Sequence, residues 1–162
     1  MQISQTMKFD ADLVTVYAML TSTDWLEAVA KRAHAEEYSA TSQDDQTVLK
    51  VRIPTPDRVP PQVQRFIGGS LAIQVVQDWG PAREDGERSG TFQVTVDGFS
   101  AASASGKVSL RSVQSGSEVI YNGDFTVNIP IIGKKIEAQA APTVTQVFNY
   151  QDAAGKEWLA TR

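Results

Sequence analysis

Val127-Asn128-Ile129-Pro130-Ile131-Ile132-Gly133-Lys134-Lys135 is the stretch on which the fold of this 162-residue chain turns. Before it, apolar residues recur at every second position; after it, at every third or fourth. The first period belongs to a strand with one buried face, the second to an amphipathic helix. Ile132, Ile136, Ala140, Val144, Val147, Tyr150 or Gln151, Ala154 and Trp158 fall on one broad helical face. At 1.5 Å per residue, a helix from about Ile131 to Leu159 is roughly 40 Å long, enough to cross a whole sheet. Pro142 interrupts it, because proline removes a backbone hydrogen bond and its ring clashes with the preceding turn. A kink near Ala138 to Pro142, or two abutting helices, is therefore expected. A twisted antiparallel sheet followed by such a helix must bury the helix's apolar stripe in its concave side, an arrangement that often leaves a cavity.

Upstream of the joint, Leu71 to Trp79, Gly90 to Phe99, Ser105 to Val113 and Glu118 to Ile129 alternate in the manner of an antiparallel meander. Parity sends Leu71, Ile73, Val75, Phe92, Val94, Val96, Val108, Leu110, Val119, Tyr121, Phe125 and Val127 inward. Gln77 and Gly123 share that parity. A polar residue and a strand glycine on the inner face point to incomplete filling, a bend or a bulge.

Nearer the start, Ile3, Gln5, Met7 and Phe9 alternate with polar residues as a first strand. Asp10 is the expected N-cap of a helix carrying Leu13, Val16, Tyr17 and Leu20, with Asp12 in its first turn. A second helix holds Trp25, Leu26, Val29 and Ala33 and is expected to run to about Ala35. Glu37 to Thr41 and Thr47 to Ile53 form a hairpin around Gln43 to Gln46, with Leu49, Val51 and Ile53 inward. The proline-dense stretch from Pro54 to Pro61 cannot be a central strand and is expected to cross over the sheet. Pro61 opens one or two helical turns to Ile67, closed by Gly68-Gly69.

Composition narrows the function classes. The length suits one domain spanning residues 1–162. The hydrophobic share of 41% and charged share of 21% are those of a globular protein. A net charge of −4 and the absence of any segment interleaving aromatic with basic residues argue against nucleic acid as a partner. There is no cysteine and one histidine, so thiolate and histidine metal sets are excluded. No signal-like or membrane-spanning apolar run is present, and a cytoplasmic location is the expectation. His34 has no paired nucleophile and reads as a surface residue near a helix end. Asp44-Asp45 and Glu84 to Glu87 read as turn carboxylates, and Gly133-Lys134-Lys135 as a tight turn with solvated lysines in preference to an anion site. No catalytic residue, metal set or cofactor is indicated.

The order strand, two short helices, six-stranded meander, long terminal helix resembles the START-like, or helix-grip, superfamily. That superfamily includes birch-pollen-allergen-like proteins, polyketide cyclases and lipid-transfer domains. Val59-Pro60 to Gly68-Gly69 leading to Gln77-Asp78-Trp79, together with Val127 to Glu137, resembles an uncharacterised bacterial family within it. The resemblance implies an α+β helix-grip fold: a curved antiparallel sheet of about six or seven strands wrapped on the C-terminal helix, with two short helices after the first strand. It also implies a cavity for a hydrophobic small molecule, lipid- or polyketide-like, and transfers no catalytic residue. The expected lining is Gln77, Trp79, Phe92, Tyr121, Phe125, Gln139, Thr143 and Val147, a mostly apolar wall with a few polar groups. A non-enzymatic carrier or sensor is the leading reading. The alternatives are a cyclase- or hydratase-type enzyme using the same pocket, and a protein-interaction module with an apolar patch around Val59 to Ile67.

Overall fold

The computed structural model describes residues 1–57 and 59–162; Arg58, within the proline-dense stretch, lies outside the described residues. In chain order come β1 (Gln2–Phe9), α1 (Leu13–Leu20), α2 (Thr23–Arg32), β2 (Glu37–Gln43), β3 (Gln46–Pro54), α3 (Pro61–Ile67), β4 (Ser70–Trp79), β5 (Arg88–Val96), β6 (Ala102–Val113), β7 (Gly116–Val127) and α4 (Gly133–Ala160). The strands form one seven-stranded sheet in the order β1-β7-β6-β5-β4-β3-β2, antiparallel throughout. Consecutive strands β1 and β2 thus occupy opposite edges, and α1 and α2 bridge them.

Several local expectations are corrected. Asp12, not Asp10, caps α1: its Oδ1 accepts from the Thr15 backbone N–H at 2.8 Å. α2 stops at Arg32, and His34 adopts a positive φ of 58°, which turns the chain into β2. The proline-dense stretch does not cross the sheet. β3 and β4 are hydrogen-bonded neighbours, so Pro54 to Gly69, with α3 inside it, is a long connection at one end of an antiparallel pair. Of the two alternatives for Pro142, that of two abutting helices is overturned: α4 is one helix running through it. Pro142 and Ala138 both lie on its exposed side, so the Ala138 carbonyl that lacks an intrahelical donor is open to water.

Two facing glycines let β6 and β7 approach closely at the middle of the sheet. Gly106 and Gly123 are direct cross-strand partners, and Phe92 is the partner of Gly106 on the other side. A Cβ on Gly123 would stand 2.1 Å from the Ser105 carbonyl oxygen and 2.9 Å from the Phe92 ring. One on Gly106 would stand 2.1 Å from the Asn122 carbonyl oxygen. Only hydrogen fits at both positions, so the backbones of β6 and β7 close together and the Phe92 ring lies across them. The register passes both glycines without an inserted residue, which removes the bulge reading.

α4 packs against β7 and β1 of the sheet and against α1 and α2. Phe9 fills the space where Gly155 lacks a side chain, since a Cβ there would lie 2.6 Å from the ring. At the other end Glu137 accepts from the Val127 N–H at 3.1 Å and the Met1 ammonium at 2.7 Å, tying the first turns of the helix to the sheet. The inner face is therefore unevenly covered. Met7, Val108, Leu110, Val119 and Tyr121 are buried, whereas Val51, Ile73, Val75, Val94 and Val96 are only half-buried.

If the Gly106–Gly123 approach leaves no room for a methyl, Gly106→Ala lowers stability by about 2 kcal/mol or more. Gly69→Ala, with nothing within 4 Å of the added methyl, stays within about 0.5 kcal/mol of the parent. Urea melts of the two variants make the comparison.

Candidate functional site

Period-two alternation aims Gln77 inward from β4 and Tyr121 inward from β7, and the curl brings these strands' inner faces together across β5 and β6. The Gln77 Nε2 donates to the Tyr121 hydroxyl at 2.7 Å, both side chains being buried. Phe92 meets the Tyr121 ring edge-on at 5.5 Å between centroids, and Phe148 of α4 covers it at 5.1 Å. Burial among these rings pushes the Tyr121 phenol up to about 12, the amide N–H of Gln77 opposing the shift. The Gln77 Oε1 is buried without a hydrogen-bond partner, as is the indole N–H of Trp79 two residues on. Beyond this polar pair, the half-buried valines and Ile73 of β3 to β5 continue the inner face as an apolar band, with Phe125 half-buried on the β7 side.

At the Trp79 end a second cluster closes the sheet. The Tyr17 hydroxyl donates to Asp45 Oδ1, the Arg88 guanidinium lies 3.7 Å from the Tyr17 ring centroid, and Trp79 meets that ring edge-on at 5.9 Å. Desolvation, then the hydrogen bond to Asp45, pushes the Tyr17 phenol up to about 12. Every polar partner in this cluster is spoken for except the Trp79 N–H, and it joins α1 to the β2–β3 and β4–β5 turns.

Of the eight residues expected to line a pocket, the structure gathers Gln77, Phe92 and Tyr121 into direct contact, with Trp79 and Phe125 on the same inner face. It does not bring Gln139, Thr143 or Val147 to them. Gln139 and Thr143 are exposed and Val147 is 39% exposed, because the helix face turned to the sheet carries Glu137, Val144 and Phe148. Thr143 and Val147 each precede that face by one residue, about 100° round the helix. Phe148 is the contact that sequence reasoning missed. Its spacing of four from Val144 was the available signal, and it competed with Val147 on an equally regular stripe.

Two other concavities are present. A groove of about 1010 Å³ lies at the β2–β6 end of the sheet. Its walls take Val51, Ile73 and Val96 from the inward band and Lys50, Gln74 and Thr95 from the adjacent cross-strand row of outward parity, with no α4 residue among them. A cleft of about 330 Å³ separates β1 from Phe148, Asn149, Asp152 and Lys156 of α4. At the helix joint, a Cβ on Gly133 would lie 2.1 Å from the Val127 carbonyl oxygen and Lys134 and Lys135 are exposed. His34 is exposed in the turn before β2. In α3, Val63 is buried while Phe66 is 68% exposed and stacks on Phe99. Among the described residues no group of three or more His, Asp or Glu could hold a metal ion, and no helix is long and apolar enough to cross a membrane.

A sheet curled about a long C-terminal helix, with two short helices bridging its edge strands, defines the START-like, helix-grip class. Solved structures agree. The Zhui aromatase/cyclase from Streptomyces sp. R1128 superposes with a TM-score of 0.60 at 11% identity, covering 95% of this chain and 93% of that one. Norcoclaurine synthase from Thalictrum flavum gives 0.58 at 9% identity over 100% and 87%, and has also been solved in complex with dopamine and hydroxybenzaldehyde. TTHA0849 from Thermus thermophilus gives 0.59 at 12% identity over 96% and 93%. At such identities the likeness is one of fold. No curated protein sequence matches the chain. The chain belongs to the family described as "Protein of unknown function (DUF2505)", which matches residues 4–159.

Both raised phenols bind protons more tightly in the folded chain, so the stability they contribute is complete below the ordinary tyrosine value of 10.0 and is lost as pH rises towards about 12. Tyr121→Phe removes one of the two titrations. Urea melts between pH 9 and 12 should show a shallower alkaline decline in the variant, with Tyr17 supplying the remainder.

Proposed function

We propose that this protein binds a small apolar molecule, lipid- or polyketide-like, on the concave face of its sheet beside α4, as a carrier or sensor. The supporting observation is the half-buried band of Val51, Ile73, Val75, Val94 and Val96. Full burial of one such side chain contributes about 1.5–3 kcal/mol, and a band left partly uncovered next to a dense aromatic floor is the shape of a surface completed by a ligand. The fold supports the same reading: norcoclaurine synthase holds dopamine and hydroxybenzaldehyde, and the Zhui protein is an aromatase/cyclase.

The polar groups favour binding over a cyclase-type reaction. General acid–base work near neutral pH requires a group that gives up and regains a proton there. Tyr121, at about 12, keeps its proton, and Gln77 does not titrate. Glu137, the buried carboxylate, is committed to the Val127 N–H and the Met1 ammonium.

Native mass spectrometry of freshly purified protein, followed by a thermal-shift screen with a lipid extract and the neutral probe N-phenyl-naphthylamine, tests this. Bound small-molecule mass or a probe-dependent rise in melting temperature is expected. Val75→Phe, which fills the apolar band, should abolish the rise while leaving the fold intact. No ligand mass and no shift from any probe would end the proposal.

A further inference from the structure

We infer that the molecule bound on the concave face carries an uncharged hydroxyl, and that Gln77 and Tyr121 receive it as an acceptor–donor pair. The inference rests on the binding reading above and adds the chemistry of the ligand's polar end.

Gln77 spends one amide N–H on the Tyr121 oxygen; besides the second N–H, this leaves the lone pairs of Gln77 Oε1 and the phenolic proton of Tyr121 unused. A buried acceptor without a partner costs about 1–3 kcal/mol, and this one sits on a side chain that is 7% exposed. One hydroxyl group donates to Oε1 and accepts from the Tyr121 O–H at the same time. The complement survives rotation of the amide. With Oε1 accepting from Tyr121, the pair offers an amide N–H and the phenol oxygen, again one donor and one acceptor. An ether or ketone can only accept, and a hydrocarbon answers neither group.

Charge is excluded for a separate reason. A carboxylate or phosphate brought to this depth needs a cation. Among the described residues, the arginine that shares the inner parity is Arg88, and it is held against Tyr17 and Asp45 at the closed end. A ligand ammonium would need a free carboxylate, and Glu137 is already paired. On the α4 side the Phe148 ring packs against Tyr121.

The test is a matched series on the wild-type protein by isothermal titration calorimetry: α-naphthol, α-methoxynaphthalene and α-naphthoate. α-Naphthol is expected to bind at least about tenfold more tightly than either of the others, the value of one or more buried hydrogen bonds. Tyr121→Phe and Gln77→Leu, each checked for a cooperative melt, should bring the naphthol and its methyl ether to within about twofold. If naphthol and methoxynaphthalene bind equally well to the wild type, the hydroxyl assignment is overturned while apolar binding stands. If none of the three binds and N-phenyl-naphthylamine also fails, the binding reading falls and the assignment with it.

Discussion

Gly106 and Gly123 face each other across β6 and β7 with backbones too close to admit a methyl group on either. Much else is arranged around that approach. The strands close, the Phe92 ring lies over the gap, and the sheet curls far enough for a residue of β4 to hydrogen-bond one of β7 with two strands between them. A flat sheet would hold Gln77 and Tyr121 about three strand spacings apart, roughly 14 Å. Curling also decides what the terminal helix can reach. α4 docks on β1 and β7, seated by Phe9 against Gly155, and its width is insufficient to cover β3 to β5 as well. The half-buried band and the buried polar pair thus share one face of the sheet, the pair beside the glycine approach and the band beyond the strands on which α4 docks.

The strands were legible because a period of two fixes the facing of every residue once one is placed. Phe92, Val108, Leu110, Val119 and Tyr121 are inward as their parity requires, and Gln77 and Gly123 mark the incompletely filled floor. Helix rotation was harder to read. α4 is rich in small residues, Ala138, Ala140 and Ala141 among them, and a broad stripe of weakly apolar side chains does not specify an angle. The angle is set by Phe9 against Gly155 and by Glu137 at the Val127 N–H, contacts with residues on other elements that spacing within the helix does not contain. Thr143 and Val147 were displaced for that reason. The proline-dense stretch was misplaced on similar grounds: prolines exclude a strand, but which strands lie on either side depends on pairing across the sheet.

The chemistry of the inner face is that of a neutral host. Its buried polar groups are uncharged, the Gln77 amide, the Tyr121 phenol, the Trp79 indole and the hydroxyls of Thr47 and Ser117, while the ionisable groups near it are consumed in fixed contacts: Arg88 and Asp45 around Tyr17, Glu137 at the helix start. Binding at such a face draws on apolar contact for affinity and on a few uncharged hydrogen bonds for selection. The outward row beside the band, with Lys50, Gln74 and Thr95, offers the opposite balance of polar side chains over a strand floor.

Methyl resonances of isoleucine and valine distinguish the two faces of the sheet directly. Titrating α-naphthol into methyl-labelled protein should shift Val51, Ile73, Val75, Val94 and Val96, together with Val144 on α4, while Val48 and Val76 of the outer face stay still. Shifts confined to Val48 and Val76, or spread evenly over both faces, would contradict a binding site on the concave side of the sheet.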